Sequence, residues 1–134
     1  MSLWHKDLID VLPRKQLIDQ WRECCAIAKS IKKSTPNHIL VNRVAEYPLD
    51  HLIQYQFLVW LEMKKRGYSP NDENFYKWMP DEKFVYIEDD ELFKDWHNNR
   101  YLRKCLINLE ERYDRGRISE EEWQRITNKY PCMK

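Results

Sequence analysis

The chain has 134 residues, of which 43% are hydrophobic and 13% aromatic, a composition typical of one packed domain. Only two glycines occur, which argues against a turn-rich β protein and against a glycine-rich phosphate loop. The formal net charge of +1 gives no overall nucleic-acid signature. However, residues 1–67 carry 11 Lys and Arg against 7 Asp and Glu, while residues 68–134 carry 12 against 15. This indicates either a surface polarised enough to hold a polyanion or a chance unevenness.

The cysteines and the apolar runs indicate a cytoplasmic protein that does not enter a membrane. Cys24 and Cys25 are adjacent in a helical pattern, where a vicinal disulfide would break the helix, so we expect reduced thiols. No apolar run approaches the ~20 residues of a membrane span. The polar residues between Trp4 and Asp7 interrupt any N-terminal signal-like stretch.

The chain begins with a short arm, residues 2–12, whose apolar side chains are expected to pack onto the rest of the protein. Within it, His5 is expected to be the exposed polar residue nearest the N-terminal amine. The following stretch, Pro13 to Lys33, is predicted to be an amphipathic helix, because its apolar residues recur at helical spacing. These residues form one stripe: Leu17, Ile18, Trp21, Cys24, Cys25, Ala28 and Ile31.

The opposite flank of this helix carries a basic stripe. Lys15, Arg22 and Lys29 are seven residues apart, and Lys33 extends the row. Glu23 lies about 100° round the helix from Arg22 and has no basic residue three or four positions away. We therefore consider three roles for its carboxylate: a functional one, a salt bridge to another helix, or simple solvation.

The remainder of the chain is also predicted to be helical. We expect a short helix over 37–46, a long helix from Pro48 to Gly67, an irregular aromatic-rich segment over 69–88, a helix from Asp89 to Gly116, and a last helix capped by Ser119 and Glu122. The predicted fold is all-α: a single compact domain, residues 1–134, of four to five helices with a long aromatic-rich loop.

The histidines and cysteines do not indicate a metal or cofactor site. His5, His38, His51 and His97 are scattered, and neither CxxC nor HxxxH spacing occurs, whereas a structural zinc site needs four converging ligands. We expect no metal and no cofactor. Cys24 and Cys25 are interpreted as core residues because they fall on the apolar face of their helix.

Two blocks of the sequence resemble the pyrimidine-dimer DNA glycosylase family, the phage endonuclease V-like enzymes. From its start to Glu23 the chain is similar to the family without a gap, with Ser2 near a free amine and Trp21-Arg22-Glu23 on the family's aromatic-Arg-Glu. A second similar block runs from Pro36 to Tyr68, in which YPLDHLIQYQFLVWLEMKKRGY resembles the family's long helix that ends in Lys-Arg-Gly-aromatic. The resemblance is strongest over residues 1–68.

The resemblance implies a DNA glycosylase with AP lyase activity that acts on damaged double-stranded DNA. Its N-terminal α-amine, here that of Ser2 after removal of Met1, is expected to attack C1′ of the damaged nucleotide through a Schiff base, with Glu23 assisting. The expected DNA contacts are Lys15, Arg22, Lys29 and His5, in a monomer. The family is basic at the positions that match Leu3 and Ala26, whereas this chain is not.

Two other functions remain open. The first is a non-catalytic helical module that keeps the fold and binds DNA or protein. The second is a small hydrolase that uses Glu23 and His5. Weak, salt-dependent binding to undamaged duplex is expected of the glycosylase and of a DNA-binding module alike. Only the glycosylase forms a covalent intermediate with a sugar.

Overall fold

The computed structural model describes residues 3–33, 39–70 and 86–134, without the side chains of Ile39 and Leu40. Ser2, the predicted helix stop at 34–36 and most of the aromatic segment 69–88 lie outside the described residues. The predicted all-α class is confirmed, since the described ranges contain helices and no strand. Four main helices and one short one follow in order: α1 Arg14–Lys32, α2 Ile39–Ala45, α3 Leu49–Lys65, α4 Asn99–Asp114 and α5 Glu120–Lys129.

Helix α1 forms where its sequence pattern predicts, and Pro13 lies immediately before its first turn. Its predicted stripe faces the core, where Leu17 and Cys24 are fully buried. The buried face also includes two polar side chains, Gln16 and Gln20. This face packs on α3, so the α1–α3 pair forms the centre of the fold.

Helix α3 begins after Pro48 and ends, as predicted, next to Gly67. Gly67 adopts a φ of +84°, a left-handed conformation that glycine reaches without steric cost. In the turn at Gly67, the N–H of Tyr68 donates a hydrogen bond to the carbonyl of Met63 at 2.9 Å, which satisfies one of the carbonyls at the end of the helix. The predicted capping box is also present at α5, where Ser119 and Glu122 hydrogen-bond reciprocally.

The N-terminal arm is more ordered than its sequence indicates, because Lys6–Val11 form a 3-10 helix held from two sides. From α3, Nη1 of Arg66 donates to the carbonyl of Leu12 at 2.7 Å. From α5, Nζ of Lys129 lies 2.7 Å from Oδ1 of Asp10, and Nη2 of Arg125 donates to the Asp10 carbonyl at 3.1 Å. The stretch from Lys6 to Leu12 is therefore fixed against α3 and α5.

The prediction of a helix from Asp89 is wrong, because α4 begins only at Asn99 and the preceding ten residues form turns. Phe93, fully buried, has a φ of +49° that a helix does not accommodate. Its N–H donates to Nδ1 of His51 at 3.1 Å, and Nζ of Lys6 donates to the carbonyl of Leu92 at 2.8 Å. Contacts from distant residues thus satisfy backbone groups that a helix would otherwise pair, and Asn98 caps α4 instead.

Buried aromatic and histidine rings fill the space between the arm, α3 and α4. Their centre is Phe93, whose ring centroid lies 5.2 Å from those of both Trp96 and His97. His97 in turn stacks on His5 at 5.1 Å. None of the helices described is both long and apolar enough to cross a bilayer.

Candidate functional site

The residues next to the N-terminus are held by side chains from three helices. The backbone N–H of Trp4 donates to Oε1 of Gln20 on α1 at 2.7 Å. The carbonyl of Trp4 accepts the hydroxyl of Tyr55 on α3 at 2.6 Å, and the carbonyl of Leu3 accepts the hydroxyl of Tyr101 on α4. Leu3 is fully buried and Trp4 is nearly so. The chain therefore reaches position 3 at a defined place beside α1.

Glu23 lies one turn along α1 from this anchor and is half-buried. Nε2 of Gln20 lies 3.4 Å from Oε2 of Glu23, so one amide contacts both the arm and the carboxylate. The sequence predicts no basic partner for Glu23 three or four positions away on its own helix, and the neutral amide of Gln20 is one of its contacts there.

The basic stripe is exposed, as its position on the helix predicts. The side chains of Lys15 and Arg22 are 77% and 76% exposed, and Lys29 is also exposed. Asp19 lies between the first two, 2.9 Å from Nζ of Lys15 and 3.9 Å from Nη1 of Arg22. Exposed ion pairs of this kind contribute at most about 1 kcal/mol, so a polyanion can displace Asp19.

Two surface grooves meet at Arg22. The first, of about 550 Å³, lies between the start of α1 and the α4–α5 connection. Its walls carry four basic side chains against two acidic ones: Arg14, Lys15, Arg22 and Arg117 against Asp19 and Glu122. Glu122 is held in place by the N–H of Arg14 at 2.8 Å. This groove is a net positive channel suited to a phosphate backbone.

The second groove, of about 560 Å³, lies between α1 and the end of α3 and is mainly aromatic and apolar. Trp21 and Tyr68 line it, and the guanidinium of Arg14 lies 5.3 Å from the centroid of the Tyr68 ring. Arg14 and Arg22 are the charged residues in its wall. Trp21 is only 5% exposed, so the half-buried ring of Tyr68 is the aromatic face here on which an unpaired base can stack.

The expectation that His5 is exposed is wrong. His5 is only 2% exposed, its Nδ1 accepts the N–H of Asp7 at 3.0 Å, and its ring stacks on His97. Burial lowers the pKa of His5 below its ordinary value, which favours the neutral ring. A buried neutral ring does not present charge to a phosphate, so His5 caps the 3-10 helix of the arm.

Cys24 and Cys25 lie in the core, as predicted; Cys105 is also buried, Cys132 is exposed, and all four thiols are free. Burial raises the pKa of Cys24 far above the ordinary range and that of Cys25 to about 11, so neither forms a thiolate at neutral pH. Among the described residues, no three carboxylate, imidazole or thiol groups lie close enough together to hold a metal ion.

Comparison with known protein families decides the relationship of this chain. The family model described as pyrimidine dimer DNA glycosylase matches residues 1–75. The chain belongs to the pyrimidine dimer DNA glycosylase family. The match contains the arm, Gln20, Glu23 and the whole of α3. Searches of curated proteins and of solved structures found no match.

Several residues of this glycosylase-family site are not evident from the sequence pattern. Gln20 and Tyr55 could have been recognised as polar groups within otherwise apolar helix faces, which need buried partners. The role of Arg117 could not have been recognised from the sequence, because this residue lies in the α4–α5 connection, about a hundred residues after the start of α1, and joins the groove only through the tertiary fold. Tyr101 likewise contacts Leu3 only through the tertiary fold.

Proposed function

We propose that this protein is a DNA glycosylase with associated AP lyase activity, in which the N-terminal α-amine attacks C1′ of a damaged nucleotide. Membership of the family implies the pyrimidine dimer DNA glycosylase role. The observation that carries the mechanism is the anchoring of Leu3 and Trp4 beside Glu23, through Gln20. Leu3, the first residue that the structure describes, is thus held near a carboxylate that stands next to Arg22 of the basic stripe.

The nucleophile we propose is the amine of Ser2, with Met1 removed. An α-amine has an ordinary pKa of about 7.7–8.0, so part of it is neutral at physiological pH, whereas a lysine amine, at about 10.4, is almost entirely protonated. Ser2 directly precedes Leu3, whose carbonyl is anchored by Tyr101. Its amine therefore lies within about 4 Å of a position that the fold fixes.

The proposed reaction forms one bond to C1′ as it breaks another. The amine bonds to C1′ while the base leaves with the bonding electron pair and a proton, and the amine loses a proton. Opening of the sugar ring then gives the Schiff base, and loss of a C2′ proton expels the 3′ phosphate by β-elimination. We assign Glu23 two tasks: stabilising the cationic sugar and carrying these protons, the latter worth about 10²–10⁴-fold in rate.

The DNA-binding surface in this proposal is centred on Arg22. Lys15, Arg22 and Lys29 would contact phosphates along one strand, and Arg14 and Arg117 complete the positive groove beside them. In the second groove, the half-buried ring of Tyr68 beside Arg14 offers a surface for a displaced base. His5 is buried and is therefore assigned to holding the arm.

Borohydride trapping tests the proposal. Protein whose N-terminus is verified by mass spectrometry is incubated with ultraviolet-irradiated duplex and with abasic duplex, and sodium borohydride is added. We expect a stable protein–DNA adduct, with the N-terminal tryptic peptide carrying the nucleotide. Acetylating the α-amine selectively is expected to abolish the adduct while leaving duplex binding in place.

The alternative is a helical module that keeps the fold and binds DNA or protein without catalysis. The loss of the family's basic residues at Leu3 and Ala26 favours it, because Leu3 is fully buried and Ala26 presents no charge. Duplex binding without an adduct on either substrate would establish this alternative. An adduct that forms on a lysine peptide would reject the amine of Ser2 as nucleophile.

A further inference from the structure

Gln20 and Tyr55 form a buried clamp on the backbone of Trp4, and neither residue has a catalytic role in the proposed reaction. Gln20 is 1% exposed and Tyr55 is fully buried. The Tyr55 hydroxyl lies 2.6 Å from the Trp4 carbonyl and 3.0 Å from Oε1 of Gln20. The Trp4 N–H lies 2.7 Å from the same Oε1. Both backbone polar groups of Trp4, its N–H and its carbonyl, are thus held by two side chains that also contact each other.

The orientation of the Gln20 amide follows from these contacts. Because Oε1 accepts the Trp4 N–H and lies against the Tyr55 hydroxyl, Nε2 is directed to the other side, where Oε2 of Glu23 lies at 3.4 Å. One rigid planar group therefore links the arm that carries the amine to the carboxylate. A shift of either end displaces the other.

We infer that Gln20 and Tyr55 are positioning residues that set the distance between the N-terminal amine and Glu23, an inference that rests on the proposed glycosylase function. The amine of residue 2 precedes the Trp4 nitrogen by two residues, a span of at most about 7 Å. A misplacement of about 1 Å at a reacting group can cost about 100-fold in rate. The clamp acts through the arm and touches neither sugar nor base.

Two of the three other buried glutamines differ from Gln20 in how their amide oxygens are satisfied. Gln16 and Gln54 are 6% and 2% exposed, and Oε1 of each has no hydrogen-bond partner among the described residues. Burying an amide costs free energy unless hydrogen bonds compensate for it. Oε1 of Gln20, in contrast, accepts the N–H of Trp4. An apolar side chain of the same size could not accept this hydrogen bond.

Three substitutions separate positioning from packing. Gln20→Met keeps the volume and removes both ends of the link. Tyr55→Phe removes the hydroxyl and leaves the ring. Gln20→Glu keeps an acceptor for the Trp4 N–H and replaces the donor to Glu23 by a second carboxylate oxygen. Gln54→Met is the matched control, because it makes the same change at another buried glutamine, one that does not hold the arm.

The measurement is the single-turnover rate of borohydride-trapped adduct formation as a function of pH, with duplex affinity measured separately. We expect Gln20→Met and Tyr55→Phe to slow trapping by about 10- to 100-fold with duplex affinity unchanged. We expect Gln20→Glu to move the acidic limb of the profile upward by about one pH unit or more, because adjacent carboxylates raise each other's pKa. Gln54→Met is expected to match the unsubstituted protein in both measurements.

The outcomes distinguish the clamp from the function. If the unsubstituted protein forms the adduct and the folded variants form it equally fast with an unshifted pH profile, the clamp is rejected and the glycosylase function stands. If the unsubstituted protein forms no adduct, both are rejected. Circular dichroism establishes which variants fold, and should Gln20→Met unfold, the two more conservative changes still decide the question.

Discussion

The Nδ1 atom of His97 accepts the backbone N–H of Lys6 at 3.0 Å, a contact between residues 91 positions apart. Two other histidines act in the same way: Nδ1 of His51 accepts the N–H of Phe93 at 3.1 Å, and Nδ1 of His5 accepts that of Asp7 at 3.0 Å. An imidazole accepts at Nδ1 only while that nitrogen is unprotonated. Protonation of any of these three rings would therefore break its hydrogen bond to the backbone, in the arm for His97 and His5 and at Phe93 for His51.

We expect the protein to lose stability as the pH falls from about 7.5 towards 5. Burial lowers the pKa of His97 from 6.5 to about 2 and also lowers those of His5 and His51. In this range the unfolded chain binds protons at these rings and the folded chain does not, so the free energy of unfolding decreases with falling pH. At pH 4.5, His97 alone is expected to lower the free energy of unfolding by roughly 2–3 kcal/mol relative to neutral pH.

Urea unfolding at pH 7.5, 6.5 and 5.5 tests this dependence in the unsubstituted protein and in His97→Asn. The asparagine Oδ1 can accept the Lys6 N–H in place of Nδ1 but does not titrate. The variant is expected to be less stable at pH 7.5, because the ring packing is lost, and to show a shallower pH dependence. Identical slopes in the two proteins would mean that His97 is not the titrating group.

Arg22→Ala is expected to weaken binding to duplex DNA and to lower the slope of log Kd against log salt by about one unit. Arg22 is exposed and stands where the two grooves meet, so its loss removes a phosphate contact without disturbing the core. Fluorescence anisotropy over a salt series measures both quantities. Arg103→Ala, an exposed arginine outside both grooves, is the control. Equal slopes for the two variants would mean that Arg22 contacts no phosphate and that Lys15, Arg22 and Lys29 form a solvent-exposed helix face without a role in DNA binding.

Asp19→Asn is expected to have the opposite effect and to tighten duplex binding. Asp19 lies between Lys15 and Arg22 and neutralises part of the basic stripe. Removing it abolishes two exposed ion pairs, worth about 0.2–1 kcal/mol each, and leaves both cations available to phosphates. The gain should fade as salt is raised, because salt screens exposed charges. Asp95→Asn, an exposed acid away from the stripe, is expected to change little, and weaker binding by Asp19→Asn would show that this carboxylate supports the interface.

The sequence predicts those parts of the fold that are set by local patterns. The amphipathic stripe of α1, the turn at Gly67 and the capping box of Ser119 all depend on residues within a few positions of each other, and each is confirmed. The start of α4 is missed because distant side chains determine it: His51 takes the N–H of Phe93, and Lys6 takes the carbonyls before it. Helical spacing carries no information about such contacts.

The same distinction applies to the site. The exposure of Lys15 and Arg22 follows from their helix face, and the pairing of Arg22 with Asp19 follows from a spacing of three. The burial of His5 could not be predicted, because it depends on the ring of His97, 92 positions later in the chain. The clamp on Trp4 likewise joins α1 and α3. The roles of Ser2 and Glu23 remain predictions that chemistry must test.

Glu23→Gln is expected to abolish turnover while leaving the fold and most of the duplex affinity intact. The amide keeps an oxygen that can accept from Nε2 of Gln20, which lies 3.4 Å from the carboxylate, but it carries no negative charge and no transferable proton. The loss should therefore be about 10²–10⁴-fold in the single-turnover rate. Glu110→Gln, at a half-buried glutamate on α4, is the matched control. If Glu23→Gln instead lowers the melting temperature and leaves the rate of the folded fraction unchanged, the carboxylate is structural.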